Sequence, residues 1–402
     1  MRPFSPPAVA AFLILLGCET ASEDRAAQQS GTLVFHLSDS VDVRIPGELT
    51  PTSLILYNGS ERLELNANEG CYAVPVFDGT ICLDEAGKGH WTDILRPGAE
   101  PYEVPLGWGP RQDIPIASGG VQQEEKWRLT FGTDDPWFGD LIMQAGPDGA
   151  LVGTIETATG DFRFLHGKER DNSITLQTFD GAHLFLFSAK RGPNNQLNEG
   201  HFHSGNHYHT TFTGVPLHSD APVLGDGMSA QWTGAAVAYE GVDLFGNSKT
   251  WKWTPADTNT HVISVMGSWC PNCMDEHRLL RELAAAHPNI ILHTLAFERG
   301  IDRDNGEKAA LNRLKAYRES MELWRFEDRW SVTLVGPASK KEAQIALPFL
   351  DRVVSFPTSI VLRPQAKHPW IHSGFNGPAT GAKYDLERQA FTQAIIGSTE
   401  SR

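Results

Sequence analysis

Near residue 217 the chain changes texture, and that change constrains its fold more than any other feature of its 402 residues. Before it, short alternating segments such as "TLVFHL", "SLILYNG", "WRLTFG", "DFRFLHG" and "AHLFLFSA" are separated by Gly, Asp and Asn turns. Period-2 alternation with closely spaced turns reads as an antiparallel all-β sandwich or barrel. After it, "HVISVMGSW" and "NIILHTLAF" are apolar runs of buried-strand length. Each is followed by an amphipathic stretch: "MDEHRLLRELAAAH" presents Leu279, Leu280, Leu283 and Ala284, and "EKAALNRLKAYRESMEL" presents Ala310, Leu311, Leu314 and Tyr317. Strands alternating with helices predict an α/β sheet. "PTSIVLRP" and "PWIHSG" read as a closing hairpin, and "DLERQAFTQAI" as a terminal helix.

The first eighteen residues, "MRPFSPPAVAAFLILLGC", carry one basic residue, Arg2, ahead of a run too short to span a bilayer. That is the shape of a secretory signal, and its Leu16-Gly17-Cys18 ending resembles a bacterial lipobox. The resemblance implies cleavage before Cys18, lipidation of its thiol and membrane attachment facing the periplasm. Residues 19–30 then read as a polar tether, 31–217 as the β domain, 218–228 as a linker and 229–402 as the α/β domain. Removing the leader and the tether leaves about 370 residues, more than one core usually serves. The formal charge of −15 argues against a nucleic-acid partner, which would need a basic face.

An exported compartment permits disulfides, and the four cysteines after Cys18 fall as two close pairs, Cys71 with Cys82 and Cys270 with Cys273. The first pair flanks "YAVPVFDGTI", a hairpin expected around Asp78-Gly79 in which the two are not obvious opposites; a structural disulfide is the expectation there. The second pair sits where a strand meets a helix. That position places Cys270 at a helix N-terminus, where unpaired N–H groups and the dipole stabilise a thiolate nucleophile. Cys273, almost one turn on, is covered by the helix and resolves a mixed disulfide. Pro271 suits the first turn, and Trp269 shields the pair. Zinc would want further Cys or His ligands at matching spacing, and a disulfide closing so short a loop adds little stability.

"GSWCPNCMDE", with "LAFER", "SFPTSIVL" and "IHSGFNGPATG", resembles the TlpA/ResA-like thiol–disulfide oxidoreductases of thioredoxin fold, over roughly residues 229 to 400. The β half, with "GTIETATGDFRFLHG", "TFDGAHLFLF" and "HSGNHYHTTF", resembles the N-terminal domain found with such modules in lipoprotein members. The likeness implies that Pro357 is the cis-proline beside the cysteines and binds an extended substrate, with Trp269 and Phe356 as further substrate-binding candidates. Phe356 departs from the Thr or Val that many thioredoxin-like proteins carry there, which bears on substrate choice. It implies that Glu276 tunes the thiols and moves protons. It further implies reduction of disulfides in exported proteins, electrons from a membrane donor and no cofactor. Asp275 reads as a first-turn carboxylate favoured by the dipole, and Glu298 as a secondary functional candidate whose simpler reading is an ordinary loop carboxylate at a strand end.

"HFHSGNHYH" competes for attention. With Ser204-Gly205-Asn206 as the turn, His201, His203, His207 and His209 share one face of a hairpin, where imidazoles suit zinc or copper. Metal handling by the cysteines and these histidines is therefore one alternative function. A surface lipoprotein that binds a ligand through its β domain, with the thioredoxin fold as scaffold, is the other.

Overall fold

A computed structural model describes residues 29–96, 101–112, 124–146, 149–218, 221–225, 227–254 and 256–397. Cys18, the leader and the tether as far as residue 28 lie outside the described residues.

The β half is two structures. Eight antiparallel strands between residues 29 and 110 form a closed barrel, sealed by pairing of Gln29–Ser38 with Tyr102–Pro110. Alternate residues fill its interior: Leu33 and Phe35, Val43 and Ile45, Leu54 and Leu56, with Trp91 at the centre. The first strand begins at Gln29, two residues inside the segment expected to be tether. Nine further strands between Glu124 and Pro216 form a separate antiparallel sheet. Within it Trp137–Ala145 pairs with both Glu124–Phe131 and Ala150–Thr157, which brings the ends of the sheet together around an aromatic core of Phe131, Phe187, Phe202 and Phe212.

The third sheet has seven strands, in the order Ser248–Lys252, Ala238–Asp243, Trp330–Pro337, Ile290–Glu298, Thr260–Met266, Thr358–Leu362 and Trp370–Ser373. Its three central strands run parallel and Thr358–Leu362 antiparallel to them. Helices α1 (Pro271–Ala286), α2 (Gly306–Ser320), α3 (Lys340–Ala346) and α4 (Ala382–Ile396) pack around it. Thr260–Met266 is buried from its second residue onward, as a strand covered on both faces must be. Ala310, Leu311, Leu314 and Tyr317 form the buried face of α2. The short α3, capped by Ser339, has no counterpart in the sequence reading.

Cys71 and Cys82 are directly opposed in register and joined as a disulfide, with Cα atoms 4.3 Å apart. The connection explains the difference from the expected hairpin. Residues Pro75–Phe77 form a 3-10 turn and Asp78 takes a left-handed conformation (φ 48°), which brings Val74 opposite Gly79 and the cysteines into line.

Candidate functional site

Cys270 is the N-cap of α1. Its backbone is extended (φ −109°, ψ 104°), and its Sγ accepts the N–H of Cys273 at 3.2 Å. A sulfur thus occupies the place usually held by a Ser or Asp oxygen. Cys270 and Cys273 are joined as a disulfide with Cα atoms 5.3 Å apart. Cys270 is 7% exposed and Cys273 fully buried, so the first sulfur alone can meet a partner. In the reduced chain the N–H groups of α1 and its dipole favour a thiolate on Cys270.

Around this sulfur the sheet supplies a fixed frame. The Phe356–Pro357 bond is cis, and the carbonyl oxygen of Phe356 lies 3.5 Å from Cys270 Sγ. Trp269 donates its indole N–H to the carbonyl of Phe297 (2.9 Å), stands edge-on to Phe356 and carries the Arg299 guanidinium 4.3 Å above its ring.

Glu276 is fully buried one turn after Cys273. The hydroxyls of Ser264 and Ser359, from neighbouring strands, each donate to it at 2.6 Å. Burial pushes its pKa up to about 7 despite those two donors. The chain of contacts continues from Ser264 Oγ to His277 Nε2 (3.0 Å), and from His277 Nδ1 to the Tyr317 hydroxyl (2.8 Å). Burial lowers His277 to about 3, so the imidazole is neutral, and it raises Tyr317 well above its ordinary value. With His277 donating from Nε2, every donor in the row points toward the Glu276 carboxylate.

Two carboxylates do more than the sequence reading gave them. Glu298 does end a strand, but it is fully buried and accepts both the N–H and the hydroxyl of Ser268 at 2.8 Å, two residues before Cys270. Arg313 backs it at 3.4 Å and reaches Asp78 of the barrel at 2.9 Å. Asp275 lies beyond the first turn of α1, which holds no acid, so it does not have the role expected at the helix dipole. It is 2% exposed and takes a two-pronged contact from Arg163 Nε (2.8 Å) and Nη2 (3.3 Å). Arg163 in turn meets Glu61 of the barrel at 2.5 Å and Asp180 of its own sheet at 3.8 Å. One buried guanidinium therefore ties all three sheets together beside the cysteine pair. Glu61 and Asp275 lie 102 and 112 residues from Arg163 in the chain. The one sequence signal was an Arg between the apolar residues of "DFRFLHG".

The nine-stranded sheet also stands over the sulfur. A cleft of about 290 Å³ has Trp269, Cys270, Pro271, Asn272 and Phe356 on one side, and residues including Gly160, Asp161, Phe162, His183 and Phe185 on the other. Asp161 is buried and accepts the N–H groups of Arg163 (2.8 Å) and Gly377 (2.7 Å). Burial first, and then the charge of Asp275, push its pKa up to about 7.

The histidine hairpin turns at Gly205–His207, one residue later than expected, so His207 leaves the ladder. It reaches Arg96 and Tyr102 of the barrel instead, at 2.9 and 3.3 Å. His201 Nδ1 and His209 Nε2 are 3.0 Å apart, and the rings of His203 and His209 are 4.4 Å apart. Among the described residues, no three or more His, Cys, Asp or Glu side chains are placed to hold a metal ion.

No protein-family model and no curated protein matches the sequence. Part of the chain is similar to solved thiol–disulfide oxidoreductases. A secreted disulfide oxidoreductase of Mycobacterium tuberculosis, homologous to E. coli DsbE, shares 15% identity over 38% of this chain and 95% of that one, with a TM-score of 0.25. StoA of Bacillus subtilis shares 15% over 39% and 96%, with a TM-score of 0.25. The exposed lipoprotein thioredoxin Etrx1 of Streptococcus pneumoniae shares 18% over 39% and 97%, with a TM-score of 0.24. Identity and TM-score are low in all three, and the chemistry of the site is read from its own residues.

Proposed function

We propose that the protein exchanges disulfides through Cys270 and Cys273, and that it reduces disulfides in exported proteins. The observation that carries this reading is the placement of Cys270: its sulfur caps α1, faces a cleft and lies against the Phe356 carbonyl of the cis Phe356–Pro357 bond, while Cys273 is buried behind it.

In the reduced chain the Cys270 thiolate attacks one sulfur of a substrate disulfide. The substrate S–S bond breaks, a Cys270–substrate disulfide forms, and the expelled sulfur takes a proton. Cys273 then loses its proton and attacks the Cys270 sulfur, releasing the second substrate thiol and closing the Cys270–Cys273 bond. Two electrons pass to the substrate, and a membrane dithiol donor restores the pair. Glu276, with a pKa near neutrality, is suited to exchange the Cys273 proton. Pro357, Phe356 and Trp269 orient the substrate, and Cys71–Cys82 staples the barrel. The Leu16-Gly17-Cys18 pattern supports a lipid anchor on the periplasmic side of a membrane.

Turnover of a disulfide substrate with dithiothreitol as donor tests the reading. Cys270→Ser should abolish turnover, and turnover that persists in that variant would exclude it.

A further inference from the structure

An oxidoreductase acting on folded proteins needs its reactive sulfur on an open face. Here Cys270 is 7% exposed, and its sulfur meets a second wall built from another sheet. At about 290 Å³ the cleft is at the small end of the roughly 300–1,000 Å³ of ordinary ligand sites. The wall is fixed in place. Arg163 grips Asp275 of α1, Gly377 donates its N–H to Asp161, and the Asn272 amide donates to the Asp161 carbonyl at 3.1 Å. Farther out, Lys383 of α4 pairs with Glu156 at 2.6 Å.

The chemistry of the lining follows from those bonds. Arg163, Asp161 and Asp180 are engaged by protein partners, so an occupant meets chiefly the aromatic surface of Phe162, Phe185, Phe356 and Trp269, edged by Thr157, Thr159 and His183. His183, with its side chain 36% exposed, stacks on Phe185 at 4.9 Å and pairs with Asp180 at 3.1 Å.

We propose that the nine-stranded sheet is the selectivity wall of the site, restricting Cys270 to cysteines carried on unfolded, extended segments with apolar flanking residues. The proposal rests on the exchange reading above and gives its substrate class. A slender chain reaches the sulfur between the two walls, whereas a folded protein would have to place its body where the sheet already stands. Cysteines bound for a core are among the most buried residues of folded proteins, so in an unfolded exported chain they are presented with the apolar neighbours the lining fits.

The test uses the reduced full-length protein and four oxidants: unstructured peptide disulfides with Leu and Phe flanks, the same peptides with Asp and Lys flanks, a folded protein with a surface disulfide, and the small linear hydroxyethyl disulfide. The apolar peptide should react at least about tenfold faster than the charged peptides and the folded protein, the range typical of one pocket contact. His183→Trp and Thr159→Trp, which add bulk at two lining positions on the sheet side, should each lower the peptide rate about tenfold relative to the hydroxyethyl disulfide rate. Equal rates for folded protein and peptide would overturn the proposal. So would an unchanged ratio of peptide to hydroxyethyl disulfide rates in both variants. Loss of exchange with every oxidant in the parent protein would instead refute the exchange chemistry itself.

Discussion

Glu276→Gln separates the charge of the buried carboxylate from its shape. The parent group has a folded pKa of about 7 against an ordinary value of 4.5, because burial opposes the anion more than Ser264 and Ser359 favour it. Below pH 4.5 the carboxyl is protonated whether the chain is folded or not, and it costs nothing. Between pH 4.5 and 7 the unfolded chain ionises while the folded chain keeps its proton, so stability falls as pH rises; above 7 the whole penalty is present. At about 1.4 kcal/mol per pH unit the penalty is roughly 3 kcal/mol. Gln carries no such penalty; like the protonated acid it makes one serine hydroxyl accept, but its amide has a second N–H left without a partner, at a cost of about 1 kcal/mol. The variant should therefore be about 1 kcal/mol less stable than the parent at pH 4 and about 2 kcal/mol more stable at pH 8. Asp161, whose pKa is also about 7, is present in both proteins and drops out of the difference. Urea unfolding of the oxidised chain across this range measures it, and a carbon-13 titration of the carboxyl gives the midpoint directly. Parallel stability curves, or a midpoint near 4.5, would refute the reasoning.

Other consequences follow from the same geometry. Brief iodoacetamide treatment of the reduced protein at neutral pH should label Cys270 well ahead of Cys273, as mass mapping would show; equal labelling would undo the assignment of roles. Arg163→Met leaves Asp275, Glu61 and Asp180 facing one another without their cation and should cost about 3–5 kcal/mol in urea unfolding; a loss below about 1 kcal/mol would mean that solvent already screens the cluster. Cys18→Ser should move the protein out of the membrane fraction, and an unaffected fraction would contradict the lipid anchor.

The placement of the cysteine pair was legible because it is local: a strand, two cysteines three residues apart and a helix stripe all lie within 25 consecutive residues or so, at the spacing a helix start requires. The division of the β half was not. Alternation along a strand says which residues share a face, but not which strand lies alongside, so one barrel and one separate sheet read as a single region. The same limit hid the partners of Arg163, Glu298 and Asp275. Each looks like a surface charge beside its sequence neighbours and becomes buried only when distant elements converge. Cys71 and Cys82 illustrate the opposite case, in which a 3-10 turn and one left-handed residue alter a register that simple alternation could not supply. His207 left its expected face because the turn formed one residue later and Arg96 and Tyr102 were there to receive it.

The most direct test of the exchange chemistry is to trap the intermediate. Reduced Cys273→Ser protein, mixed with an unstructured peptide disulfide and quenched in acid, should hold one peptide per chain, and mass mapping should place it on Cys270. A peptide found on another cysteine, or a Cys270 that stays free while the peptide is consumed, would contradict the account.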